Sequence, residues 1–549
     1  MPLTASNIRM PDFAFDPRWH RAAVWFLVIT TLLRMCQLPS MELAPDEAYY
    51  WDWSRRPALG YYDQGPFIAY LIRATTAVFG TNEFGVRFGV LLASFGTLVC
   101  CYLLAKRLFS PLTGFLAVLL LGCTPLMEVG SLIATYDPPL VFFWALTVLL
   151  LERALFADDA RRQNLYWLLV GVSTGLGFLS KHTMLLILPC LVLFLLLSPR
   201  HRFWLLRPQP YLALLIVLLL YSGVLVWNAQ HHWWTFGHLR YLTHKSSDAP
   251  LKRLGDFVGS QALLVGPILF FGTLAASVWA LRAGGLKLAD VRGGMGKEGA
   301  GRSASVSGEE PTAPDTRLLF LLLMGLPVFL FFCLMTFRAK AQGNWAAFAW
   351  LTPTILWSAW LTEWAGRARK AAGRLAGFAA LTGLVLTLLL IFPALRYALG
   401  VHLPPDADTS NTAYGWREMA RHVQQTREEM GQGGRNPVFL VGNGYQYCAL
   451  LAFYLPDHPR VQDMFLHFRL TMYAAYVEEL KDHLGQDAIF VNDTQAEDRD
   501  LRALFERVEW EAPLPIYRRP YYSEPIHTLY IARCYHYRRY IGTDWHEGG

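Results

Sequence analysis

The chain has 549 residues, of which 54% are hydrophobic and only 17% charged. That balance excludes an ordinary soluble multidomain protein and predicts a polytopic membrane protein. A net charge of +7 suits Lys/Arg-rich inner loops and anionic lipid, and no soluble basic module is present that would bind nucleic acid.

A helix needs roughly 20 apolar residues to cross a bilayer. Runs of that kind begin near 22, 86, 111, 138, 165, 183, 209, 261, 317, 344 and 374, which predicts about eleven spans. The polar lead before the first run has no small-residue cleavage pattern, so that run reads as an uncleaved span. The run 66–80 is short and reads as interfacial. Arg18 and Arg21, Lys106 and Arg107, "ERALFADDARRQ", "PRHRFWLLRP" and "RARKAAGR" share one side if the spans alternate, and that side is the cytoplasm. Loops 40–85, 229–260 and 338–343, the turns at Asp137 and Lys181, and the tail beyond 400 then face outward.

Residues 1–400 form the membrane module, interrupted by the Gly/Ser-rich segment 283–316, which predicts a disordered cytoplasmic linker. Residues 401–549 have the composition of a small outward-facing (periplasmic) α/β domain. "PVFLVG", "DAIFVN" and "HTLYIARCYHY" are its strand-like runs, with "YCALLAFYL" and "AAYVEELKDHL" as helical patterns. It has no Gly-rich phosphate loop and is assigned no chemistry. Of eight cysteines none forms a CxxC, and six serve as apolar fillers; Cys448 and Cys534 are the pair available for a disulfide in an oxidising compartment.

The outward loops hold the informative charges. The first carries Asp46, Glu47, Asp52, Arg55, Arg56 and Asp63 among tyrosines and tryptophans. Asp137 precedes two prolines, and Lys181 and His182 lie in a short turn. The loop 229–260 has four histidines with Arg240, Lys245, Lys252 and Arg253, and "FRAKAQGNW" adds Arg338 and Lys340. Cations on the outer face run against the positive-inside bias and point to an anionic ligand there. Nearby carboxylates would do acid/base chemistry or hold a divalent metal ion, with Asp46, Asp137 and a loop histidine as an oxygen-rich set. Plainer roles compete. Outer Lys/Arg residues snorkel to lipid headgroups, and Asp46 with Glu47 makes a helix-start pair after Pro45. Nearly charge-free spans favour chemistry at the interface over transport through the middle.

"APDEAYYWDWS…GYYDQGPFIAYLI", "ATYDPPL", "FLSKHTMLLILP" and "KAQGNWAAFAWL" resemble, in order and spacing, the landmarks of bacterial membrane glycosyltransferases of the GT-C class. Protein-O-mannosyltransferase-like enzymes and the lipid A aminoarabinose transferase are the relatives this likeness names. The resemblance implies a multispan GT-C-like fold in the bacterial inner membrane, with the first loop over a cavity that faces the periplasm. It implies a polyprenyl-phosphate-linked sugar as donor, and Asp46 and Asp137 as the functional acids. Where the aminoarabinose enzyme has an acidic-basic pair, this chain reads Asp63-Gln64. The donor phosphate would then fall to Lys181, Lys245, Arg338 or Lys340.

A departing lipid phosphate is stabilised by positioned Lys/Arg groups, and a carboxylate opposite takes the acceptor proton, inverting the anomeric centre. Asp46 is the expected base or acceptor-orienting group, Asp137 supports it and Glu47 is a further candidate. Tyr61, Tyr62 and Asp63 are expected to line the sugar pocket. The acceptor is a lipid (lipid A), a glycan or a protein. A lipid-linked-sugar flippase is the alternative.

Overall fold

The computed structural model describes residues 10–157, 159–243, 248–283, 315–431, 437–466, 470–496 and 498–539. Lys245 and nearly all of the predicted linker 283–316 lie outside the described residues.

Helices dominate the described residues up to position 400, and proline and hydroxyl side chains mark their starts. Pro45, Pro111, Pro125, Pro208 and Pro250 each open a helix, where the missing N–H is not needed and φ is preset. Ser110 and Thr124 cap their helices by accepting the N–H of Thr113 and Met127, each at 3.2 Å. Among the described residues five helices are long and apolar enough to cross a membrane: Glu83–Leu108, Asp137–Phe156, Pro208–Gln230, Thr316–Met335 and Gly343–Ile391. Two bent pairs raise that to as many as seven; they turn by 68° between Pro111–Gly122 and Pro125–Leu132, and by 105° between Pro250–Val265 and Pro267–Arg282. Gly266, at φ +88°, makes the sharper bend.

Two predicted runs differ from simple spans. Those near 344 and 374 form one stretch of 49 residues, broken at Ala368, where φ −143° and ψ 61° leave the helix. The run near 183 yields the 11-residue helix Ile187–Leu197, about 16 Å at the usual rise. Arg18–Gln37 and Ala160–Ser180, of 20 and 21 residues, occupy two more expected runs. Buried Arg34 pairs with Glu128 at 2.7 Å near two helix ends, so even these charges are neutralised.

The C-terminal part is a six-stranded mixed sheet with helices. Strands β1 (Val438–Gly442), β2 (Val461–Asp463) and β3 (Asp487–Asn492) are parallel in the order β2-β1-β3. β6 (His527–Tyr537) runs antiparallel to β3, and β4 (Phe505–Trp510) and β5 (Leu514–Ile516) pair with it. The three strand-like sequence runs are therefore strands. "YCALLAFYL" lies on helix Tyr445–Tyr454, whereas "AAYVEELKDHL" forms a tighter 3-10 helix over Met472–His483. Cys448 and Cys534 are both buried and free, so the pair makes no disulfide; the Cys448 thiol instead meets the Gln462 carbonyl at 3.4 Å.

Helix Pro45–Arg55 of the first loop packs against this domain. Tyr49, Tyr50, Trp51 and Trp53 share one apolar cluster with its helix and strands. Arg55 donates to the carbonyls of His458 and Pro459 at 2.7 and 3.1 Å, and Arg56 makes a two-pronged contact with Glu479 at 3.0 and 3.1 Å. The Tyr473 hydroxyl donates to Asp52 at 2.9 Å. Much of the charge in this loop therefore docks the C-terminal domain.

Candidate active site

The remaining acids meet where four segments end. Asp137 begins its helix, and with Pro138 and Pro139 behind it the carboxylate is not consumed by helix N–H groups. Its Oδ1 accepts from Lys181 Nζ at 2.6 Å and its Oδ2 from Asn344 Nδ2 at 2.7 Å. Lys181 follows helix Ala160–Ser180 and is 3% exposed, so the pair is almost dry. The ammonium also lies 4.8 Å from the Tyr136 ring centre and 5.9 Å from that of Trp345, a favourable place for a desolvated cation. Removing one partner of such a pair costs about 3–5 kcal/mol.

Tyr136 reports the convergence. Burial first, then Asp137, Asp63 and Asp46 in that order, push its phenol well above the usual range. Tyr50, 5.4 Å away ring to ring, is raised by burial, then by Tyr136, Asp46 and Asp63. Both stay protonated donors among three carboxylates. Asp46 is exposed in the first turn of Pro45–Arg55, and its Oδ1 accepts from the Tyr445 hydroxyl at 2.8 Å. Asp63 accepts from the Tyr49 hydroxyl at 2.9 Å and lies 3.7 Å from His238 Nε2. Tyr62 packs its ring 4.9 Å from His238.

Gln64, next to Asp63, is buried and neutral. Its Oε1 lies 2.7 Å from His182 Nδ1, and His182 Nε2 lies 2.7 Å from the Tyr221 hydroxyl. Three acids against Lys181 leave this pocket acidic. Positive charge lies on the segment that leads to Asn344: Arg338 and Lys340 are exposed there, without a side-chain ion pair or hydrogen bond among the described residues. Buried Arg253 anchors that loop through the carbonyls of Thr336 and Phe337 at 2.7 and 2.9 Å.

Two expected site residues are structural instead. Glu47 is 0% exposed and takes a two-pronged contact from Arg87 at 2.7 and 2.8 Å, plus the N–H groups of Ala44 and Ala134. Both oxygens are thus fully occupied, which removes it from the catalytic set. Tyr61 is likewise fully buried; its ring stacks 4.5 Å from Trp53, and its hydroxyl bonds the Trp53 and Arg56 carbonyls. It braces the loop and does not face a sugar. Among the described residues no three His, Cys, Asp or Glu side chains gather as metal ligands, so the expected Asp46, Asp137 and histidine set is not found among them. Sequence reasoning missed Asn344, Tyr136 and Tyr445. Asn344 sat within the quoted "KAQGNW", but as a neutral residue it carried no charge signal.

A multispan helical module thus carries a first loop packed against an α/β domain, with acids between them, and known proteins share these features. Residues 63–227 match the family described as dolichyl-phosphate-mannose-protein mannosyltransferase. The chain is 30% identical over 349 residues to the lipid A galacturonosyltransferase RgtD of Rhizobium johnstonii, covering 62% of this chain and 65% of that one. It is 35% identical over 171 residues to the undecaprenyl phosphate-alpha-4-amino-4-deoxy-L-arabinose arabinosyl transferase of Pseudomonas paraeruginosa, 31% of each. ArnT from Cupriavidus metallidurans, solved bound to undecaprenyl phosphate, shares the fold with a TM-score of 0.58 at 14% identity, covering 94% of this chain and 98% of that one. The resemblance drawn from the motifs is thereby borne out. The sequence matches span less than two thirds of either curated relative's length.

Proposed function

We propose that the protein is an inverting glycosyltransferase of the bacterial inner membrane, moving a sugar from a polyprenyl-phosphate donor to lipid A on the periplasmic side. The observation that carries this reading is a single cluster: Asp137 locked to Lys181 and Asn344 beside Tyr136, with Asp63 and Asp46 tied to it through the Tyr49 and Tyr445 hydroxyls. The names of the relatives supply the donor and acceptor classes. An acceptor hydroxyl attacks the anomeric carbon, the bond from that carbon to the phosphate oxygen breaks, and polyprenyl phosphate leaves. Asp46, exposed at the seam, takes the acceptor proton; if the acceptor group is itself a phosphate, Asp46 orients it instead. Arg338 and Lys340 face the phosphate as charge develops on it. The Asp137–Lys181–Asn344 cluster holds the floor of the site rigid. The helices long and apolar enough to cross a membrane are part of a larger set of about eleven spans.

The test is transfer by the full chain in proteoliposomes, given undecaprenyl-phosphate sugars and lipid A and followed by mass spectrometry. Lipid A gaining one sugar, with release of undecaprenyl phosphate, is the expected result. Movement of the donor across the vesicle membrane without a new glycosidic bond would overturn it in favour of a transporter.

A further inference from the structure

A cavity of about 290 Å³ opens in the C-terminal domain. It lies beyond the carboxyl ends of β1, β2 and β3, with β2 and β3 on opposite sides of β1. In open α/β sheets that crevice, where the strand order reverses, is where ligands bind. Asn443 and Gly444 follow β1, Asp463 ends β2, and Asn492 and Asp493 end and follow β3; all line the cavity with Tyr445 and Gln446. Gly444 holds φ +105°, and Asp463 Oδ1 clamps the turn by accepting the N–H of Gly444 at 3.1 Å and of Phe465 at 2.9 Å.

Asn443 sets this cavity apart from a mere surface dent. It is 5% exposed, and its Oδ1 accepts the Leu466 N–H at 3.1 Å. Since that neighbour is a donor, the amide cannot be turned round. Its Nδ2 is therefore left as a buried donor with no acceptor among the described residues. A buried donor of this kind costs free energy unless something arrives to accept from it.

The lining chooses the ligand. Asp463 and Asp493 carry negative charge and, among the described residues, no Lys, Arg or His lines the cavity, so this lining disfavours a phosphate or nucleotide. Phe465 and the tyrosine rings offer flat apolar faces among carboxamides and carboxylates, a mixture that fits the two faces and polar rim of a sugar ring. A ring of neutral hydroxyl and amide groups satisfies both the free donor and the acceptors. The size is at the low end for ligand pockets, about 300–1,000 Å³. Tyr445 belongs both to this cavity and, through its hydroxyl at 2.8 Å, to Asp46.

We infer that this cavity is a subsite for an uncharged sugar of the acceptor, held one tyrosine away from the carboxylate that receives its proton. The inference rests on the transfer reaction proposed above. The test uses the full chain in nanodiscs and, as probe, the N-acetylated and dephosphorylated disaccharide of lipid A, with binding followed by saturation-transfer NMR. Asn443→Asp keeps the acceptor for Leu466 but removes the free donor, and half-buried Gln446→Ala provides a second variant should the first fail to fold. Each folded variant is expected to weaken the probe about tenfold and raise the acceptor KM by a similar factor, with the donor KM unmoved. Unchanged probe binding in the folded variants, or displacement of the probe by the polyprenyl-phosphate sugar, overturns the inference. Asp137→Asn separates the two claims, since it should abolish transfer and leave probe binding intact. Transfer with an acceptor KM unmoved by the cavity variants would sink the subsite alone. Absence of transfer with every donor, while those variants still weaken the probe, would sink the reaction and keep the sugar site.

Discussion

Two helix starts in this protein each present an aspartate beside proline, and they are built in opposite ways. Around Asp137 the region is closed: the residue is 9% exposed, and its two oxygens are taken by Lys181 and Asn344. Around Asp46 the region is open: the side chain is exposed, and Oδ1 meets a neutral tyrosine hydroxyl from the C-terminal domain. A carboxylate locked to a buried ammonium holds geometry, because moving either charge alone is expensive. A carboxylate in contact with solvent and a neutral donor can exchange a proton with what arrives. The contrast sets a carboxylate locked in a buried ion pair against one left open to solvent.

Breaking the closed side should have the largest effect. Asp137→Ala strands Lys181 and is expected to cost about 3–5 kcal/mol and all measurable transfer; thermal unfolding of the purified protein checks the first. Adding Lys181→Met should restore most of the thermal midpoint without restoring transfer. On the open side, Asp46→Asn should lower turnover by about 10²–10⁴ while stability stays within about 0.5 kcal/mol, as read by single-turnover assay and thermal scan. A rate near that of the wild type would remove Asp46 from the mechanism. Tyr445→Phe should slow transfer by about tenfold, and in the double variant with Asp46→Asn it should add almost nothing, a non-additivity that a mutant cycle measures.

The smallest effect is one of pH, away from both acids. Burial of Glu511 opposes its charge, but hydrogen bonds from His422, Arg533 and Thr426 outweigh that and hold its carboxyl below the ordinary 4.5. A depressed carboxylate adds stability above its unfolded pKa and loses it as pH falls through the folded value. The thermal midpoint of the C-terminal domain should therefore decline below about pH 4.5, and Glu511→Gln should flatten that decline.

Ionisable residues at loop ends were legible in the sequence, which is why Asp46, Asp63, Asp137 and Lys181 stood out before any geometry was known. Burial was not. Glu47 follows Asp46 directly, yet one residue along a helix turns the side chain by about 100°, enough to carry it from the seam to buried Arg87. Asn344 and Tyr445 are neutral and lie 207 and 399 positions from the acids they touch, so no local pattern links them. The helical module was legible because apolar runs are a matter of composition. Direction was not, and the bends at Gly266 and Ala368 turn segments that a hydropathy window reads as straight. The strands beyond 437 were legible as short apolar runs, whereas the cavity at their ends depends on strand order, which no single run contains.

The contact between Tyr445 and Asp46 also bears on biosynthesis. An acid that leaves the ribosome early must wait for a partner made 399 positions later. A nascent or prematurely ended chain that stops before that domain would carry its membrane helices without a finished seam.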